Sequence, residues 1–368
     1  MREYSDQERY WIWLNRTTGH NVRLFDRLIS AFESPEQLFR SVASGRPLKE
    51  NIPDEVFGAL KKTADEKQTD SYIKRLFEKG IECATRISGD YPALLKEIAD
   101  APSVLYIKGK LYEHIELPIA VIGSRKCSAY GRDVAYKLSA QLAEQGACIV
   151  SGLAYGIDSI AAQGALSCAE NQYPSVAVLG CGVDVVYPSG SAALYRQISE
   201  RGAVISEFLP GTKPLAQHFP IRNRIISGLS RGVVVVEAAE KSGTFITVDH
   251  ALDQGRDVFS VPGRITDPAS RGTNSLIRNG MAKAVYGVND ILEEYGKAVN
   301  GKIFAKEVDL SKLDVHQALI VKLLQVDDRD FDELCEMVPL PVSELNSALT
   351  SLEFSGIIKQ LPGRVYRI

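Results

Sequence analysis

Six short runs of β-branched and small apolar residues, IAVIG, ACIVSG, SVAVLG, AVISE, GVVVVEA and DVFSVPG, follow one another between residues 119 and 263, each separated from the next by a helix-length segment. Continuous apolar runs suit strands buried on both faces, and parallel sheets are where such strands occur. The intervening segments predict helices over 129–145, 158–168, 190–201, 221–230 and 244–254. Right-handed crossovers place those helices on both sides of the sheet. The expected fold is therefore α/β, an extended Rossmann-like, doubly wound and mostly parallel sheet.

On either side of this core the pattern changes. Residues 1–80 space apolar positions helically, as in Trp11, Leu14 and then Leu24, Phe25, Leu28, Ile29, and Ser34-Pro35-Glu36 reads as a helix start. This predicts an N-terminal helical, SAM-like domain. With 14 basic against 13 acidic residues it reads as a packing or interaction module rather than an electrostatic footprint. The sheet domain is expected over 81–296, with residues 81–117 connecting it to the helices or adding an edge strand. A linker is expected over 297–310. Residues 311–368 read as three helices followed by IIKQLPGRVYRI, a two-stranded wing turning at Pro362-Gly363, and so as a winged helix. The third of those helices, 343–354, carries Glu344 and Glu353 and no Lys or Arg, and residues 327–336 hold six acids against one arginine. Phosphate repulsion opposes docking in a major groove, so this domain is expected to meet protein, with Lys359, Arg364 and Arg367 as its basic tail.

Composition removes several functional classes. The net charge of −3 means that any nucleic-acid site must be a local patch. The six cysteines form no C-x-x-C pair and no His lies at metal-ligand spacing, which argues against zinc and against a disulfide framework and favours a reducing cytoplasm. No run approaches 18 apolar residues and the N-terminus is charged from residue 2, so neither a membrane span nor a signal peptide is expected. The five histidines are scattered and form no Ser/His/Asp or Cys/His arrangement. A nicotinamide or flavin cofactor would require G-x-G-x-x-G, and a nucleotidase G-x-x-x-x-G-K-[ST]; neither is present. No metal and no cofactor are expected.

In an open α/β sheet, ligands bind beyond the carboxyl ends of the strands. Here those ends carry Gly123-Ser124-Arg125-Lys126, Ser151-Gly152 with Leu153-Ala154-Tyr155-Gly156 after them, and Gly180-Cys181-Gly182. Three glycine-rich loops on one edge let backbone N–H groups approach phosphate, although each alone also serves as a tight turn. After the fourth strand, Lys213, Arg222, Arg224 and Arg231 face only Glu207, and Phe219 and Asn223 lie among them. Arginines that grip phosphate beside an aromatic that stacks on a base make up a single-strand site. Phe219 reads equally as a buried anchor, and Arg222 and Arg224 as structural ion-pair partners. After the fifth strand, Lys241-Ser242-Gly243 adds a basic turn, and Glu237 is the most enzyme-like carboxylate.

Taken in order, GSRKCSAYG (123–131), SGLAYGID with GAL (151–158, 164–166), VLGCGVDVVYP (178–188), SEFLPG with HFPIRNRIISGLS (206–211, 218–230), EAAEKSGTFIT (237–247) and GRDVFSVPG with GTNSLIRNG (255–263, 272–280) closely resemble the DNA-processing protein A (DprA, Smf) family. The resemblance runs over residues 85–290. It implies a cytoplasmic, homodimeric, non-catalytic protein that binds and protects single-stranded DNA without sequence preference. It further implies that the protein helps load a RecA-type recombinase in natural transformation. It maps the family's DNA pocket onto Arg125, Phe219, Arg222 and Arg224. Ala162 departs from the family's usual His and Ser191 from its usual Asn. Ala216-Gln217-His218 lacks the lysine often found before the Phe, which leaves Lys213, Lys241 or Lys126 to supply that charge. The rival expectation is a nucleoside monophosphate phosphoribohydrolase of related fold, whose P-G-G-x-G-T signature is replaced here by Lys241-Ser242-Gly243-Thr244.

Overall fold

The computed structural model describes residues 2–45, 52–296, 313–326, 328–355, 357–361 and 363–367. The linker expected over 297–310 and Pro362 of the expected wing turn lie outside the described residues. The chain divides into two compact units, residues 1–294 and 295–368.

In the first unit, five helices come first: α1 (Asp6–Thr18), α2 (Val22–Phe32), α3 (Pro35–Ala43), α4 (Asp54–Thr63) and α5 (Glu66–Glu78). Their starts follow the sequence, since Ser5, Asn21, Ser34 and Asp65 each accept an amide of the first turn. The sheet follows, with strands β1 (Glu82–Thr85), β2 (Val104–Gly109), β3 (Leu117–Ile122), β4 (Ala147–Ser151), β5 (Ser175–Val178), β6 (Ala203–Ser206), β7 (Gly232–Val235), β8 (Asp257–Ser260) and β9 (Lys283–Ala284). Their spatial order is β1-β2-β6-β5-β4-β3-β7-β8-β9. All six apolar runs are strands and all pair in parallel. Residues 81–117 supply the edge: β1 pairs antiparallel with β2, and β2 antiparallel with β6, after the short α6 (Ala93–Lys96) between them.

Both faces of the sheet are covered, in keeping with the unbroken apolar runs. Alternate residues (Ala120, Ile122, Val176, Val178, Val233, Val235) join α10 (His218–Gly228), α11 (Thr244–Asp253) and α12 (Arg271–Arg278) in the main core. The intervening Ala177 and Val204 pack with α8 (Ile157–Ser167) and α9 (Ala192–Arg201) on the opposite face, where α7 (Ala129–Glu144) also lies. Each fully buried Val or Ile of this kind contributes about 1.5–3 kcal/mol through removal from water. The N-terminal helices cover β1 and β2: Ile12 and Leu76 share a cluster with Cys83, Val104 and Tyr106, and the Tyr106 hydroxyl donates to Asn15 Oδ1 at 2.7 Å. The unit ends with α13 (Asn289–Leu292).

The helix boundary that differs most from expectation is the start of α10. α10 begins at His218, three residues before the expected 221, because Pro220 falls in the first turn, where amides lack intrahelical partners and the missing N–H costs nothing. Phe219 therefore rides on the helix rather than on the loop before it.

The second unit is the winged helix: α14 (Val315–Val326), β10 (Arg329–Asp330), α15 (Phe331–Met337), α16 (Val342–Phe354), β11 (Lys359–Leu361) and β12 (Val365–Arg367), with the antiparallel order β10-β12-β11. Its core is Ile320, Val321, Leu324, Phe331, Leu334, Leu345, Leu349, Leu352 and Tyr366.

Candidate nucleic-acid interface

From β3 the chain winds outward through β4, β5 and β6, then returns across the sheet through α10 to β7 on the other side of β3. The direction of winding reverses at β3, so the loops leaving β3, β4 and β7 diverge and leave a crevice at their carboxyl ends. That crevice is an open groove of about 1660 Å³, counting its open side. It is lined by residues 123–126 after β3, Ala154 and Asp158 after β4, Phe219, Arg222 and Asn223 of α10, and residues 241–244 after β7. A narrower recess of about 370 Å³ continues from it between Gly152, Tyr155, Gly180, Tyr187 and Phe219.

The loops close on one another because they lack side chains at two places. Gly156 has φ of +79°, and a Cβ there would collide with the carbonyls of Ser124 and Arg125, against which the start of α8 is seated. A Cβ on Gly152 would run into the Arg222 guanidinium and lie 2.7 Å from Asp158 Oδ2.

Four basic side chains line the groove, with Asp158 as its carboxylate. Arg125, Lys126 and Lys241 are exposed and make no ion pair among the described residues. Arg125 stands over the Phe219 ring, 5.3 Å from its centroid, and Arg222 lies 5.9 Å from the same ring. Arg222 is different in kind. It is 3% exposed; its Nη1 donates to Gly152 O at 2.8 Å and to Val178 O, and its Nε to Asn223 Oδ1 at 3.2 Å. Burial pulls its pKa down to about 10, with the Asp158 charge pulling the other way, so it stays protonated at neutral pH. The buried Asp158 carboxyl is pushed upward by desolvation, against the charge of Arg222 and amide donation from Gly152.

Of the residues expected from sequence, the groove and its recess bring together Gly123, Ser124, Arg125, Lys126, Gly152, Phe219, Arg222, Asn223, Lys241, Ser242 and Gly243. Three do not take part in the lining. Ser151 is fully buried at the end of β4, beneath the loop. Lys213 is exposed, yet its neighbours Pro214 and Ala216 are the ones that reach the groove. Arg224 lies away from the lining: it is 5% exposed, its Nη2 donates to Glu207 Oε2 at 2.5 Å and its Nε lies 3.1 Å from Asp100 Oδ2. Two residues along a helix are about 200° apart, so Arg222 and Arg224 cannot face the same way.

Tyr155 and Tyr187 were missed by sequence reasoning. Both are exposed, and the Tyr187 ring lies 5.5 Å from that of Phe219. An aromatic residue inside each strand-end loop, SGLAYGID and VVYP, was the available signal. Glu237 sits outside the groove: it is 1% exposed and its carboxylate accepts from Ser128 N at 2.9 Å and from Ser128 Oγ, at the N-terminus of α7.

The chain is similar to known proteins over both units. Residues 82–296 match the model of the DNA recombination-mediator protein A family, and residues 305–364 that of the DprA winged helix domain. The chain is 43% identical over 227 residues to the DNA processing protein DprA of Streptococcus pneumoniae, covering 61% of this chain and 78% of that protein. It is 39% identical over 284 residues to the Smf protein of Escherichia coli, covering 76% and 75%. It is 30% identical over 399 residues to Smf of Synechocystis, covering 99% of each. Among solved structures, the S. pneumoniae DNA processing protein A superposes with a TM-score of 0.66 at 36% identity, covering 80% of this chain and 99% of that one. A Helicobacter pylori DNA processing protein A, described by its single-stranded DNA binding mode, superposes with a TM-score of 0.52 at 27% identity, covering 58% and 95%.

Proposed function

This chain belongs to the DNA recombination-mediator protein A family, and on that premise we propose that it holds single-stranded DNA in the groove at β3 and delivers it for recombination. The observation that carries this reading is the meeting of Arg125, Lys126, Lys241 and the buried Arg222 in one groove with Phe219, over whose ring Arg125 and Arg222 stand, at the switch point of the sheet. Exposed cations without carboxylate partners hold phosphates by charge, which is independent of sequence. Phe219, flanked by Tyr187 and Tyr155, offers a face on which an unpaired base stacks for about 1–3 kcal/mol. A duplex keeps its bases stacked inside and cannot use that face.

The protein acts without catalysing a reaction on the strand. Supporting this, Glu237, the carboxylate that a phosphoribohydrolase reading would need, is occupied in holding the start of α7. The winged helix meets protein rather than DNA: Arg367 pairs with Asp328, and Arg364 stands 3.9 Å over the Phe331 ring and donates to Asn346. Family membership supports a homodimer that passes the strand to a RecA-type recombinase in the cytoplasm, and no helix among the described residues is long and apolar enough to cross a membrane.

The test is fluorescence anisotropy of a labelled oligo-dT and of a duplex of equal length, at two salt concentrations. Preference for the single strand is expected, with a log–log salt slope of about −2 if the three exposed cations each neutralise one phosphate. Equal binding to the duplex, or a flat salt dependence, would overturn the assignment.

A further inference from the structure

The N-terminal helices reach the first turn of α10, behind Phe219. His20, in the turn between α1 and α2, lays its ring against Phe208 at 4.8 Å between centroids and against His218 at 5.7 Å. Phe208, 1% exposed, lies two residues past the end of β6, and it stacks on His218 at 4.2 Å. His218 is the first residue of α10, next to Phe219 and one turn before Arg222. Its Nδ1 is buried with no partner among the described residues, so ring contacts hold that side of the imidazole. A second link runs from Lys79, just past α5, to Asp184 at 3.1 Å; Asp184 in turn accepts the Gly211 amide at 2.6 Å in the loop leading to α10. That pair is more than half exposed on the lysine side, where ion pairs contribute little.

We propose that His20 is a positioning residue for the groove, through which the N-terminal helices set the placement of Phe219 and Arg222 by way of Phe208 and His218. The inference rests on the single-stranded DNA reading above. His20 touches no part of the groove itself, so its effect on binding passes wholly through the first turn of α10. The groups facing it from α10 are His218 and Arg224, and the charge of Arg224 is met in turn by Glu207 and Asp100. Burial, then those two neighbours, hold the His20 imidazole below its ordinary pKa, which favours the neutral ring. Acid that charges the ring sets it against Arg224 and loosens the stack.

Full-length wild type, His20→Ala, His20→Phe and Lys79→Ala are compared for oligo-dT binding, with thermal unfolding of each recorded alongside. His20→Ala should weaken binding about threefold to tenfold, the scale of one aromatic contact, with the salt slope unchanged. His20→Phe, which keeps a ring, should restore binding to within about twofold of wild type, as should Lys79→Ala. As pH falls below about 6.5, wild type should lose affinity relative to His20→Phe, because His20 is the one titratable group in which the two proteins differ. His20→Ala binding like wild type, His20→Phe no better than His20→Ala, or parallel pH profiles for wild type and His20→Phe would each overturn the inference alone. A wild type that binds no single strand overturns the reading of the groove as well.

Discussion

Replacing Arg222 by methionine separates what this side chain does for the fold from what it does for the groove. Its guanidinium, brought by burial to a pKa of about 10, costs the folded state about 3 kcal/mol at neutral pH relative to an ordinary arginine. Its hydrogen bonds to Gly152 O and Val178 O offset this, at about 1.5–3 kcal/mol each for a charged donor. As a stabiliser Arg222 therefore comes out close to neutral, which points to its charge at the groove as the reason for its presence. Methionine removes the desolvation cost but leaves two buried carbonyls without donors, at about 1–3 kcal/mol each. It also leaves the buried Asp158 without a counter-charge. That carboxyl can escape by taking a proton, which from its ordinary 3.8 costs at most about 4 kcal/mol at pH 7. The net loss expected in urea unfolding is about 3–5 kcal/mol, as for other broken buried pairs. Adding Asp158→Asn removes the charge while keeping an acceptor for the Gly152 amide, 3.0 Å away, and should leave a deficit of about 1–2 kcal/mol. Oligo-dT affinity, read by anisotropy, should fall about tenfold in both variants. A double variant no more stable than the single one refutes the Asp158 argument; a double variant that binds like wild type removes Arg222 from the site.

Arg125→Glu should weaken oligo-dT binding and reduce the salt slope by about 0.7 while leaving the unfolding midpoint unchanged, since the side chain is exposed; unaltered affinity in the folded variant refutes its role. Burial raises the Glu207 carboxyl to about 7, with the Arg224 charge pulling it back, so between about 4.5 and about 7 the folded state binds more proton than the unfolded one. Stability should accordingly fall as pH rises through that window, by up to about 3 kcal/mol, and Glu207→Gln should flatten the profile; a wild type indifferent to pH there contradicts the burial argument. Glu237→Ala should cost about 1–3 kcal/mol through the lost bonds to Ser128. Neither it nor wild type should release adenine from AMP, and release by wild type that the variant abolishes would restore the phosphoribohydrolase reading.

Much of the architecture was legible in the chain because it depends on local period. Six unbroken apolar runs can satisfy both faces only as the interior strands of a covered parallel sheet, and five spacers of helix length and helix pattern can only cross over it. The glycine-rich strand ends were legible for the same reason, since few other residues turn so sharply from strand to helix. Which side chains meet in the crevice was not written locally. Arg222 and Arg224 are indistinguishable as letters two places apart; the packing of α10 on β5 turns one towards Gly152 and buries the other against Glu207. Glu237 looked reactive at a strand end, and only the position of α7 shows that its carboxylate meets Ser128. His20 lies nearly two hundred residues from His218, and no periodicity relates them; the packing of the N-terminal helices over β1 and β2 brings the rings together. Periodicity along the chain determines which elements form, because each element's hydrogen bonds and burial repeat within a few residues. Contacts between distant side chains are decided by how those elements pack, because direction and distance in space are properties of the assembled layers and not of any one of them.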